Sequence, residues 1–398
     1  MAYKGGLIGN DNLYVPDAPT IGTATAGNAQ VSVTFTAPSD VGNDAITGYG
    51  ASATDGTNVI GATGSSSPVT VTGLTNGTSY TAQVWAINDY GNGPLSAATS
   101  SFTPALNRAL FAGGLAGGSN SNVIDYVTIG TTGNAIDFGN LTASKDSLAA
   151  VSSDSRGVFA GGDVGSKSNV IEYVTIASTG NAQDFGDLSE ATQWSAGAGN
   201  DVRGIIHLGD TTSGNDATLE YITIASTGNS TDFGDRTVND VAYTAGFASP
   251  SRAVFETGYS STFSNIIDYV TIASTGNSTD FGDATAAKYY ASGLSSSTRG
   301  VIGGGRVSGN SLINVIEYIT IASTGNGTDF GDLLAARANM GATSSSTRGL
   351  FGGGNTGSVD NVIQYITIAS TGNSTDFGDL TVSRRDLTAC SSEHGGLS

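Results

Sequence analysis

From about Arg108 to the end of the chain, short apolar runs alternate with clusters of Gly, Ser, Thr, Asn and Asp, and no stretch carries a long helical period. Runs such as "NVIQYITIAS" and "RGLFGGG" mix β-branched and aromatic residues, which suit a pleated, half-buried backbone, while the small polar clusters supply turns. From about Pro16 to Pro104 the texture changes. There "PDAPTIGTATAGNAQVSVTFTAPSDVGNDAITGYGASA" predicts three strands with alternating apolar residues, and "GLTNGTSYTAQVWAINDYGNGPLSA" predicts two more. Residues 1–15 are polar and Gly-rich apart from Leu7, Ile8 and Leu13, and read as a short N-terminal arm, of a kind commonly disordered alone and in some cases ordered by docking onto a neighbour. The expected class is all-β, with domains at 16–104 and 105–398.

The second of these domains repeats. Tyr126, Tyr173, Tyr221, Tyr269, Tyr318 and Tyr365 are spaced 47 to 49 residues apart, and each is followed 12 residues later by Phe138, Phe185, Phe233, Phe281, Phe330 or Phe377. Each unit holds four strand-like pieces, resembling in order "LTACSS", "RGLFGGG", "NVIQYITIAS" and "NSTDFGDL". The array begins on a second piece, Arg108–Gly114, and ends on a first piece, Leu387–Ser392, so six full units exist only if the last piece completes the first unit. Such a clasp removes open sheet edges. A period of this length predicts propeller blades, here a six-bladed β-propeller closed by its C-terminal strand.

Three resemblances bear on this. The first domain resembles a fibronectin type III domain through Pro19, Phe35 before "TAP", Tyr49 after "ITG", and "LTNGTSYTAQVWAIN" followed by "GNGPLS". That implies a β-sandwich in which Tyr80, six residues after Leu74, forms the family's tyrosine corner, with Phe35 standing where the family usually has Trp. The Gly run after an apolar strand, the Tyr of the third piece and the aromatic of the fourth resemble kelch repeats, with Phe in place of the usual Trp. Together with the near-identical "YVTIASTGNSTDFGD" runs, this combination resembles virion proteins of tailed phages, especially marine ones. The resemblance implies a tail-fibre, baseplate or capsid-surface appendage, made in the host cytoplasm and carried in the virion. Its partners would be other virion proteins, met through the arm and the fibronectin-like module, and sister copies in a homo-oligomer.

Comparing units within the chain separates frame from surface. The connections between second and third pieces, and between the fourth piece and the next first piece, vary most, and in an up-and-down blade both emerge on one face. Variable loops on a rigid frame are where recognition usually lives. Trp194, Tyr259, Phe263, Tyr289, Tyr290, Arg306 and Arg384 are therefore the candidate ligand-binding residues, suited to stacking on and hydrogen-bonding to host-surface sugars. Rim packing or a contact with a sister subunit is the alternative. Two charged positions never change: Arg108, Arg156, Arg203, Arg252, Arg299 and Arg348 open the second pieces, and Asp137, Asp184, Asp232, Asp280, Asp329 and Asp376 precede each Phe. Six bidentate Arg–carboxylate pairs tying strands or blades would explain why Lys never appears there; a cationic lining that holds an anion is the other reading.

Charge and composition narrow the chemistry. A formal charge of −19 argues against nucleic-acid binding. The start "MAYKGGLIGNDN" lacks the apolar core of a secretory signal, and no apolar run is long enough for membrane insertion as a helix. One cysteine, Cys390, and two histidines, His207 and His394, offer no disulfide and too few ligands for a His-rich metal site or a copper-radical oxidase. No catalytic constellation and no cofactor are expected, although the "DFGD" carboxylates leave Ca²⁺ open without matching an EF-hand loop. The triplets at Asn229, Asn277, Asn326 and Asn373 read as turn chemistry and not as glycosylation sites. Attachment, a purely structural collar, sleeve or decoration role, and glycan hydrolysis are the functions left to weigh.

Overall fold

The computed structural model describes residues 14–104, 106–238, 242–256, 258–259, 263–397. Most of the expected arm, residues 1–13, lies outside them, as do parts of two variable connections. The chain divides into two compact units, one running to Leu106 and the other from Asn107. Both are all-β; the one helical turn among the described residues is Ser308–Asn310.

The first unit is a sandwich of two antiparallel sheets. Thr20–Gly27, Gln30–Thr36 and Val69–Thr72 form one, and Val59–Gly64, Gly48–Thr54, Thr81–Asn88 and Gly91–Asn92 form the other. Inward-facing Val31, Val33, Ala51, Ala53, Val71, Ala82 and Val84 meet in its core, as the period-two pattern requires. Phe35 joins that core with its ring centroid 4.6 Å from that of Tyr49, and the Tyr80 hydroxyl accepts the Thr75 backbone N–H at 3.2 Å. Two strands exceed the sequence expectation, Val59–Gly64 and Val69–Thr72. The Gly and Ser around them blur the alternation, and Val59 at the edge is itself exposed.

The second unit contains six four-stranded antiparallel sheets. The first consists of Thr388–Ser391, Arg108–Ala112, Val123–Thr128 and Ile136–Asn140, so the last strand of the chain pairs with the first of the array, Cys390 opposite Leu110. The following five run in simple chain order; the second and third are joined into one eight-stranded sheet by Thr192 and Gln193 pairing with Thr211 and Asp210. Each innermost strand packs on the next, Gly341–Ser344 of the sixth sheet packs on Thr388–Ser391, and the latter packs on Ala149–Ser152 of the second. Apolar cores lie between neighbouring sheets: Phe111, Val127 and Ile129 of the first pack with Leu350, Ile363 and Phe377 of the sixth.

The near-identical runs from each Tyr to its Phe are explained at these junctions. Beside each outer strand stands the next sheet's Gly-Asn turn. The Gly180 N–H donates to Phe138 O, and the Asn181 Oδ1 accepts the Asn140 N–H. The same pair of bonds recurs with Gly228 and Asn229, Gly276 and Asn277, Gly325 and Asn326, and Gly372 and Asn373. It recurs a sixth time from Gly133 and Asn134 of the first sheet onto Phe377 and Asp379 of the sixth. The Gly of each "DFG" is compelled by the same contact: at Gly139, φ is +147° and a Cβ would lie 2.3 Å from Gly180 O. The sequon-like asparagines thus serve as locks between sheets.

The six arginines tie the same junctions, but not as expected. Arg108 lays its guanidinium 4.2 Å from the Tyr126 ring centroid of its own sheet and donates Nη1 to Ile176 O of the next at 2.7 Å. Arg156, Arg203, Arg252 and Arg299 repeat both contacts, and Arg348 of the sixth sheet donates to Ile129 O of the first. Among the described residues none of these arginines is ion-paired with Asp137, Asp184, Asp232, Asp280, Asp329 or Asp376, all of which are exposed on the outer strands. The planar guanidinium is needed to stack on Tyr while pointing a donor at a carbonyl, which a Lys ammonium does less well.

Four of the ion-paired acids, Asp125, Glu172, Asp268 and Glu317, stand one residue before a Tyr, a position that Glu220 and Gln364 fill in the other two units. Asp125, Glu172, Glu220, Asp268, Glu317 and Gln364 are buried between apolar neighbours. Each accepts the N–H four residues after the preceding sheet's outer-strand Phe, from Thr381, Thr142, Ser189, Thr237, Thr285 and Leu334 respectively. Where the acceptor is charged, a base from the same connection usually neutralises it: Lys145 with Glu172 at 2.6 Å, Arg236 with Asp268 at 2.8 Å, Arg384 with Asp125 at 2.6 Å, and Lys288 with Glu317. Glu220 has no such base, since Thr192 occupies the position; Ser230 donates to it instead. Gln364 is neutral, and Arg337 pairs with Asp360, 3.1 Å away.

Candidate functional site

The two kinds of variable connection meet, as backbone contacts between Ala242 and Tyr259, Tyr289 and Arg306, and Ala338 and Asn355 show. Five of the seven residues singled out from sequence come together there. Tyr259 lies 5.4 Å from Phe263 and 5.6 Å from Tyr289, and Tyr289 lies 4.8 Å from Tyr290, all between ring centroids. Tyr243, which sequence reasoning missed, links this group to Trp194, with centroids 4.1 Å from Trp194 and 4.4 Å from Tyr290. Its signal was present: it follows the outer-strand Phe as Trp194 and Tyr290 do, but one residue late, in the connection that is one residue longer. Arg306 stands at the edge, sharing Asn310 with the Tyr289 hydroxyl.

Arg384 takes no part in this surface, contrary to expectation. It is fully buried, paired with Asp125 and donating to Gly113 O and Val123 O. Burial lowers its pKa from the usual arginine value, against the pull of Asp125, and the side chain is a strut between the sixth and first sheets.

One position recurs six times beside the aromatic group. Ser147, Trp194, Tyr243, Tyr290, Asn339 and Asp386 each adopt a left-handed backbone, with φ from +52° to +62°. Five backbone bonds connect them in succession: Asp386 N–H to Asn339 O, Asn339 to Tyr290, Tyr290 to Tyr243, Tyr243 to Trp194, and Ser147 to Asp386 O. Left-handed geometry in non-Gly residues costs free energy and persists where the surroundings impose it. All six of these residues line one cavity of about 90 Å³, whose wall continues through Leu148, Ser195, Thr244, Ala291, Met340 and Leu387. The rim has an aromatic half (Trp194, Tyr243, Tyr290) and a polar half (Ser147, Asn339, Asp386). Burial pushes the Tyr243 phenol up to about 12 and raises that of Tyr290 as well, so both remain neutral donors. Burial also raises the Asp386 carboxyl, while Arg385 and the Asn339 amide hold the rise back.

Deeper, the innermost strands present small residues, and serine hydroxyls run from sheet to sheet: Ser152 to Ser391 O, Ser391 to Ser344 O, Ser344 to Ser295 O, Ser295 to Ala248 O. The equivalent position in the third sheet is Gly199, so no hydroxyl reaches Ser152 O. His394 does so instead: its Nδ1 accepts the Gly396 N–H, which leaves the proton on Nε2 to be donated to Ser152 O at 2.9 Å. His207 is also buried, between Asp216 O and the Thr244 hydroxyl, and burial together with nearby Arg236 lowers its pKa to about 3. Among the described residues no three His, Cys, Asp or Glu side chains cluster as metal ligands would.

Within this all-β chain, residues 17–102 match the fibronectin type III domain. No curated protein sequence is similar enough to the chain to count as a relative.

Proposed function

We propose that the chain is a structural appendage of a tailed-phage virion, and that its second unit is a closed, kelch-like six-bladed propeller which presents the aromatic face for attachment to host-surface glycans. The virion assignment rests on the sequence resemblance. The propeller reading is supported by six junctions with the same Gly, Asn and Arg contacts, the sixth joining the last sheet to the first. In this reading the arm and the fibronectin type III module join the appendage to other virion proteins, and the propeller faces outward.

The observation that carries attachment is the aromatic group itself. Six aromatic side chains on variable connections, with Tyr259 exposed, form a surface that a self-contained frame does not need. Aromatic faces stack on the C–H faces of sugars and keep a polar tip for hydroxyls. The test is adsorption of the purified chain to candidate host cells and to their extracted surface polysaccharide, with Tyr259→Ser and Phe263→Ser as comparison. Saturable adsorption weakened by both substitutions is expected. Adsorption that ignores them, or a particle map in which neighbouring subunits cover this face, overturns the reading in favour of a collar or decoration role. Polysaccharide that shortens on incubation would point to hydrolysis instead.

A further inference from the structure

We propose that the cavity bordered by Ser147, Trp194, Tyr243, Tyr290, Asn339 and Asp386 is a binding site for one pyranose, the terminal residue of a glycan, inserted end-on. This rests on the glycan-attachment reading and adds the location and mode of capture.

Three observations combine. The rim is divided, with three aromatic rings on one side, Trp194 tilted against Tyr243 and Tyr243 edge-on to Tyr290, and three polar residues on the other. A pyranose is divided in the same way, having an apolar C–H face and a periphery of hydroxyls. Next, Asn339 is only 6% exposed and donates its amide N–H to Asp386, leaving its Oδ1 with no hydrogen-bond partner. An unsatisfied buried carbonyl is costly unless a donor arrives. Asp386, beside it, keeps acceptor capacity of its own. Two adjacent acceptors match two adjacent sugar hydroxyls, which are donors. Finally, the six positions are structurally equivalent and yet chemically different, while the junction residues are repeated almost unchanged. The contact that recurs at these places is made by the backbone, so the frame does not dictate which side chains stand there, and their diversity is open to serve a ligand.

The cavity could instead take a simple cation at Asp386 or any flat aromatic molecule, and the experiment separates these. The full chain carries two tryptophans, Trp85 in the sandwich and Trp194 in the rim. In a Trp85→Phe background, Trp194 emission reports the cavity alone. Titration with a panel of methyl pyranosides (gluco, galacto, manno and N-acetylglucosamine forms) should give a saturable change for at least one member, with saturation-transfer NMR signals from its ring protons. Asn339→Gly should weaken that binding by about tenfold, the worth of one buried hydrogen bond. Glycine accepts the +62° φ of this position, so the fold should persist, which an unchanged melting curve would verify. Silence from every pyranoside at tens of millimolar overturns the proposal, as does a response confined to ammonium ions or to phenol. An Asn339→Gly variant that folds and binds unchanged overturns it too. If the pyranosides fail while polysaccharide still adsorbs, attachment stands without this pocket; if a pyranoside binds but neither cells nor polysaccharide do, the pocket stands and attachment fails.

Discussion

Two sets of six equivalent positions behave in opposite ways. At the outer junctions the chain places Gly, Asn and Arg at every one of six places, and each makes the same contact with the neighbouring sheet. At the left-handed positions of the cavity rim it places Ser, Trp, Tyr, Tyr, Asn and Asp, although the backbone is the same at all six. Repetition marks positions whose side chain bears on the adjacent sheet. Variation marks positions where the recurring contact is made by the backbone. If so, changes at the first set should weaken the array wherever they are made, and changes at the second should alter binding while leaving stability alone.

The largest effect should come from removing the join between the last strand of the chain and the first strand of the array. Deleting residues 386–398 takes away the innermost strand of the first sheet, buried Leu387 and Cys390, and the bond of His394 to Ser152. Loss of cooperative unfolding for the whole second unit is expected by calorimetry; a melt unchanged from the full chain would mean that the join is dispensable. Next comes Arg384→Met, which strands buried Asp125 and should cost about 3–5 kcal/mol. Arg337→Met should cost less, because its partner Asp360 is 22% exposed and can be solvated. Equal losses in urea titrations would undo the distinction between the two pairs.

These pairs also show how much could be read in advance. The all-β class, most of the strands and the count of six repeated units were legible, because period-two alternation and a fixed Tyr-to-Phe distance are local properties of the chain. The partners of Arg108 and its five counterparts were not. Identical copies give no register between them, and an invariant Asp beside each Phe invited a pairing within the unit when the true acceptor was a carbonyl 68 residues away. Arg384 misled in the same way: it sits in a variable segment, yet in four of the six units the position seven residues after the outer-strand Phe carries a buried base, Lys145, Lys288, Arg337 or Arg384, hidden inside surface-like text. Tyr243 was missed through a one-residue insertion.

Smaller effects sharpen the contrast. Asn277→Ala and Asn326→Ala each remove one lock between sheets and should cost about 1 kcal/mol apiece, whereas Tyr259→Ser should leave the urea midpoint unchanged. Glu256 gives a pH test within the frame. Burial pushes its carboxyl up to about 8 from an ordinary 4.5; Lys288 opposes this, Glu317 adds to it, and Arg236 also opposes it. The folded state therefore holds a proton that the unfolded chain releases above 4.5, so this contribution is full below 4.5 and is lost as pH rises toward 8. Relative to Glu256→Gln, which stays neutral, the wild-type chain should lose stability across that window by at most about 1.4 kcal/mol per pH unit. Parallel stability curves would show that Glu256 is ionised throughout.

The six-fold equivalence itself can be read residue by residue from amide hydrogen exchange at Gly133, Gly180, Gly228, Gly276, Gly325 and Gly372, the N–H groups donated across the six junctions. Gly133, which bridges the sixth and first sheets, should be protected to within about tenfold of the other five, as a cooperative unit requires. Rapid exchange at Gly133 together with the 388–391 strand, against slow exchange at the rest, would mean an open array with two frayed ends.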